Sequence, residues 1–156
     1  MATYILIPGA GSGPWYWHRV APLLEVLGHD VVAVDLPVDD DSAGLAEYTD
    51  VVVEAIGDRA EVVLVAQSMA GFTAPLVADR RPVDLLVLVA AMVPKPGETG
   101  VEWWEATGQG EAMRAQAVQD GRDPDDDDPA SLFVHDVPPE VAAEIPAHVR
   151  DSRAPP

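Results

Sequence analysis

Glu61-Val62-Val63-Leu64-Val65-Ala66-Gln67-Ser68-Met69-Ala70-Gly71 decides how this chain is read. The strand formers Glu61 to Ala66 empty straight into Gln67-Ser68-Met69, and a helix-like segment follows. Such a sharp strand-to-helix turn lifts a serine hydroxyl out of the backbone and aims nearby peptide N–H groups at whatever the oxygen attacks. Ala66 and Ala70, two residues either side of Ser68, are small because a larger side chain would collide across the turn. The usual G-x-S-x-G string is relaxed here to A-x-S-x-A and followed by an extra Gly71. A serine in this place can also be a simple helix N-cap. A capping box would put Glu or Gln at Gly71, and neither is there.

Working outward, strand-like and helix-like segments alternate. Residues 3–7, 31–34, 61–66 and 84–89 read as strands, and 15–27, 42–56 and 69–79 as helices. The strand runs are continuously apolar, as expected when helices cover both faces of a parallel sheet. The predicted fold is therefore α/β, an open, mostly parallel sheet of about four strands. Pro94-Lys95-Pro96-Gly97 breaks this rhythm. One helix is expected over 101–119, an acidic loop over 123–129 and a short helix over 139–145. The expected division is a core at 1–93, a helical cap-like segment at 94–150 and a tail at 151–156.

Composition narrows the function classes. The 156 residues make one domain, long enough to bury about two-thirds of the unfolded surface. A net charge of −18 repels phosphate backbones and anionic lipid, so neither nucleic acid nor a membrane is an expected partner. The absence of cysteine removes disulfides, thiolate metal sites and cysteine nucleophiles. The four histidines, His18, His29, His135 and His148, form no H-x-H or H-x-x-x-H pair, and no metal or cofactor is expected. Asp125 to Asp128 could chelate calcium, but such density usually marks a solvated loop. The apolar run at residues 4–8 is too short for a signal-peptide core or a membrane span, which suggests a cytoplasmic protein.

The first strand runs into Pro8-Gly9-Ala10-Gly11-Ser12-Gly13-Pro14-Trp15, which has two readings. A dinucleotide site is suggested by the glycines and by Asp35 after the second strand. G-x-G-x-x-G counted from Gly9 needs glycine where Pro14 stands, and Trp15-Tyr16-Trp17 fills space a pyrophosphate requires. The other reading is an oxyanion loop, with the N–H groups of Ala10 and Met69 converging on one point.

Together, Pro8-Gly9-Ala10, Trp15-Tyr16-Trp17, Leu27-Gly28-His29-Asp30-Val31, Asp35-Leu36-Pro37 and Gln67-Ser68-Met69-Ala70-Gly71 resemble the α/β-hydrolases. The similarity is to the branch holding plant methylesterases, hydroxynitrile lyases and small actinobacterial hydrolases. It covers residues 3–94 well and extends loosely, as a helical cap, to Ile145. The resemblance implies Ser68 as nucleophile, Met69 and Ala10 as oxyanion donors, and hydrolysis of a small apolar carboxylic ester through an acyl-serine. Trp103, Trp104 and Phe133 would then line the substrate pocket, or equally pack the cap.

In that family the acid follows a later strand and the histidine the last one, both about 100 residues or more beyond the serine. No segment after Val89 reads as a further strand followed by a helix, so both are expected to be absent. His135 in the cap is the remaining candidate base, with Asp136 beside it. His18 and His29 match structural positions, and His148 lies in a proline-broken stretch. The alternative function is a shortened, catalytically weak relative that binds a small molecule or another chain. The strand at 84–89 would lie at an open, flat, apolar edge, which predicts a homo-oligomer formed through that strand or the tryptophan-bearing cap segment, in which a neighbour's histidine could reach Ser68.

Overall fold

The computed structural model describes residues 1–126, 128–134 and 136–150. The chain forms two compact units, one of residues 1–94 with the segment beginning at His148, the other of residues 95–147.

The first unit is built on four parallel strands, β1 (Thr3–Ile7), β2 (Asp30–Ala33), β3 (Val62–Gln67) and β4 (Leu85–Val89). Their order across the sheet is β2-β1-β3-β4. The two middle strands are the most continuously apolar in sequence, and both are buried along most of their length. One face is covered by α2 (Leu45–Ile56) and α3 (Ala70–Arg80). There Ile5, Ile7, Leu64 and Ala66 pack against Tyr48, Val52, Ile56, Ala70, Ala74 and Val77.

The opposite face is thinner. Leu6, Val63 and Val65 pack with Trp17 from a 3-10 turn (Pro14–Trp17), and α1 (Ala21–Val26) adds only partly buried Ala21 and Leu24. Val26 and Leu27 remain 86% and 72% exposed. At the sheet margin Leu85 and Leu88 are 54% and 45% exposed, and among the described residues β4 pairs only with β3.

Sequence expectation and structure part in four places. The helix expected over 15–27 is split into the 3-10 turn and α1. His18 donates from Nδ1 to the Trp15 carbonyl (2.8 Å), and Pro22 has no N–H to continue a helix from residue 18. The second helix starts at Leu45 rather than near Ser42, because Ser42 donates from N and Oγ to Asp40 (2.9 and 2.6 Å) in a local turn. In the second unit, the single helix expected over 101–119 is two, α4 (Gly100–Thr107) and α5 (Gln109–Gln119). Gly108 breaks it in the left-handed region, at φ 63°. The second unit also holds α6 (Pro129–Phe133), which the sequence did not suggest, and α7 (Pro139–Ala142) before a 3-10 turn (Ile145–Ala147).

His148 to Arg150 belong to the first unit. The His148 ring stacks on Trp15 at 4.2 Å, and the far face of Trp15 carries His18 at 4.3 Å. The Arg150 N–H donates to the Gly11 carbonyl (3.0 Å), and its guanidinium pairs with both Asp35 and Asp39. Those two carboxylates hold the guanidinium's pKa above its ordinary value, the hydrogen bond to Asp39 contributing most.

Candidate active site

In an open parallel sheet, the loops diverge where strand order reverses, and a crevice forms at the carboxyl ends there. Here the reversal lies between β1, which leads out to β2, and β3, which leads to β4. Register sets what meets in the crevice. Ile7 pairs with Ala66, so two residues further on Gly9 comes level with Ser68. A Cβ on Gly9 would lie 2.8 Å from the Ser68 Cβ and 2.4 Å from Gln67 Oε1, so only glycine fits.

Ser68 adopts φ 52°, a left-handed conformation that costs a non-glycine residue about 1–2 kcal/mol. The surrounding bonds hold it there. Its N–H donates to Val89 (3.1 Å), and its carbonyl accepts from Gly71 (3.1 Å) and Met92 (3.0 Å). The segment after β4 therefore clamps the turn from one side while the glycine loop presses from the other. Gly71 is explained by the same clamp, since a Cβ there would stand 1.9 Å from the Met92 carbonyl oxygen.

The N-cap alternative for Ser68 fails on this geometry. The cap of α3 is Met69, and no side chain caps that helix end. Among the described residues the Ser68 hydroxyl makes no hydrogen bond, and neither the Met69 nor the Ala10 N–H donates to the protein. What remains at the carboxyl ends of β1 and β3 is a half-buried hydroxyl and two unspent backbone donors.

The dinucleotide reading fails as well. Trp17 is buried in the core against Leu6, Val63 and Val65, and Asp35 is paired with Arg150. In the acidic loop the Asp125 and Asp128 N–H groups donate to the Asp123 and Asp126 carboxylates (both 3.0 Å). Among the described residues no three His, Asp or Glu side chains converge as metal ligands would.

Three other candidates belong to the second unit. Trp103 and Trp104 lie on α4 with ring centroids 6.1 Å apart, and Phe133 ends α6 with its ring exposed. His135 lies outside the described residues, as do Asp127 and residues 151–156. Each described histidine is engaged away from the serine: His18 and His148 flank Trp15, and His29 accepts from the Ala2 N–H (3.3 Å) beside Tyr4. Sequence reasoning missed Gln67, whose side chain accepts the Gly9 N–H (2.8 Å), and Arg150. Gln67 stands inside the Gln67–Gly71 motif, but nothing there gives its side chain a role, and Arg150 belongs to no motif.

Comparison with known proteins agrees with this architecture. The profile described as "Alpha/beta hydrolase family" matches residues 4–156. Methylesterase 7 of Arabidopsis thaliana is 36% identical over 104 residues, 58% of this chain and 40% of that protein. Norfluorocurarine synthase 1 of a Strychnos species is 33% identical over 103 residues, 58% of this chain and 39% of its own length. The crystal structure of polyneuridine aldehyde esterase superposes with a TM-score of 0.60 at 26% identity, covering 70% of this chain and 48% of that one. The chain thus spans about 40% of the length of the curated relatives it matches. With the profile running over nearly the whole sequence, this chain belongs to the alpha/beta hydrolase family.

Proposed function

We propose that the protein is a serine hydrolase acting on a small, largely apolar carboxylic ester through an acyl-Ser68 intermediate. The observation that carries this reading is the strained Ser68, held between the glycine loop and the segment after β4 with two unspent N–H donors at hand. Ser68 Oγ attacks the ester carbonyl carbon and gives up its proton to a base. The carbonyl oxygen becomes an oxyanion that takes hydrogen bonds from Ala10 and Met69, each worth a few kcal/mol of barrier. Collapse expels the alcohol with a proton and leaves the acyl-enzyme. Water then attacks, releasing the acid and restoring the hydroxyl. By the family resemblance, Trp103, Trp104 and Phe133 are the proposed apolar lining, and His135, on this chain or a neighbouring copy, is the proposed base.

A second reading is favoured by the engagement of His18, His29 and His148 away from Ser68. On it, the chain is a catalytically weak relative that keeps the fold and binds a small molecule or another chain. A serine without a base is a poor nucleophile. Hydrolysis of p-nitrophenyl acetate and butyrate by the parent and by Ser68→Ala, followed through the first turnover, separates the two. Sustained release abolished in Ser68→Ala supports the hydrolase; identical traces from the two proteins sink it.

A further inference from the structure

We infer that Gln67 is a positioning residue: its side-chain amide fixes the oxyanion loop against the nucleophile turn. The inference rests on the hydrolase reading and specifies how the donor pair is kept in register.

Hydrogen bonding along β1 reaches its limit just before this loop. Pairing with β3 ends at Ile7 opposite Ala66, and Pro8 has no N–H to extend the ladder. Gly9 is buried, so its N–H needs an acceptor or incurs a desolvation cost. Gln67 Oε1 provides it at 2.8 Å. An N–H donor must face the amide oxygen rather than the nitrogen, so this bond also sets the orientation of the amide.

Two consequences follow for the site. The Gly9 donor is consumed, which leaves Ala10 as the next N–H on the loop. Ser12 cannot substitute, since its N–H turns back to the Gly9 carbonyl (3.3 Å). Moreover, the acceptor sits on the residue preceding the nucleophile. The nucleophile and the loop that stabilises its oxyanion are therefore tied through one side chain, and a shift of one carries the other. The Gly9 restriction belongs to the same device, because a Cβ there would stand where the amide oxygen lies.

The test uses the 156-residue chain, with Gln67→Met removing the acceptor at similar length and Gln67→Glu retaining one. Two quantities are read: amide hydrogen exchange at Gly9, and the rate of the first p-nitrophenol release from p-nitrophenyl acetate. In Gln67→Met, Gly9 exchange rises about fivefold or more while Ile5 and Leu6 stay protected. The acylation rate falls about tenfold to a hundredfold, as expected for a donor displaced by an ångström, with little change in the half-saturating ester concentration. Gln67→Glu keeps the Gly9 protection. Parental exchange at Gly9 in Gln67→Met, or parental acylation despite faster exchange, overturns the inference. Equal loss of protection in Gln67→Glu does so too. A parent indistinguishable from Ser68→Ala instead removes the hydrolase reading, and with it the catalytic meaning of the tie, whatever Gly9 does.

Discussion

Replacing Gly71 by alanine probes the clamp on the Ser68 turn directly. In most helices this change stabilises, by up to about 1 kcal/mol, because alanine loses less backbone freedom on folding. Here the new Cβ would stand 1.9 Å from the Met92 carbonyl oxygen, 2.9 Å from its carbon and 3.2 Å from the Ala91 Cβ. An acceptable C···O contact is about 3.3 Å, so the loop must retreat by about 1.4 Å. The obstacle is backbone, which no rotamer change relieves. Overpacking of this kind costs about 1–3 kcal/mol. Retreat also stretches the bond from the Met92 N–H to the Ser68 carbonyl, now 3.0 Å, worth about a further 1 kcal/mol. Against the helix gain, the net loss is about 2 kcal/mol, which lowers the melting temperature by about 4–8 °C. Thermal and urea unfolding followed by circular dichroism measure it. Gly110→Ala is the control, since its Cβ meets nothing nearer than 3.6 Å, and it should hold or raise stability. If Gly71→Ala melts at or above the parent temperature, the clamp argument is wrong.

Two further outcomes are expected. The Thr99 N–H and hydroxyl both donate to the Glu102 carboxylate (2.8 and 2.9 Å) and, the backbone bond leading, hold its pKa below the ordinary value. The cap's contribution to α4 is therefore present above the unfolded carboxylate pKa and lost as pH falls through the lower folded one; in an NMR titration, Thr99→Ala should move the Glu102 midpoint upward. The exposed edge of β4 predicts self-association of the chain, and Leu88→Lys, which places a charge on that edge, should shift it toward monomer. Light scattering that finds the parent monomeric across micromolar concentrations rejects the association.

The sheet was legible because its signals are local and strong. Continuous apolar runs marked β1 and β3 within a residue of their observed limits, and the small residues around Ser68 marked the turn. The misses share a physical cause. His18 and Pro22 act through single bonds made or withheld inside what reads as one amphipathic stretch, and a periodic pattern does not register them. Gly108 was visible in the sequence, but glycine within a helical pattern is often tolerated, and only its left-handed φ makes it a stop. Gln67 and Arg150 were illegible for a different reason. Each acquires its role from a partner more than fifty residues away, Gly9 in one case, Asp35 and Asp39 in the other.

The same distinction bears on what the candidate site can do. The proposed nucleophile and both proposed backbone donors lie just beyond the ends of two adjacent strands, so strand register brings them close together. A base has no such guarantee, because it must arrive from a segment that the β1–β3 register does not position. Backbone donors and substrate binding still provide about 10³–10⁴ over water in serine hydrolases stripped of their triad. Weak turnover by this chain would therefore not argue for a base. The size of the first burst is more informative than the steady rate: deacylation also needs proton removal from water, so an elbow lacking its base should stop near one equivalent per Ser68. Release well beyond one equivalent, lost in Ser68→Ala, requires a proton acceptor, and His135→Ala on the same substrate asks whether that acceptor is His135.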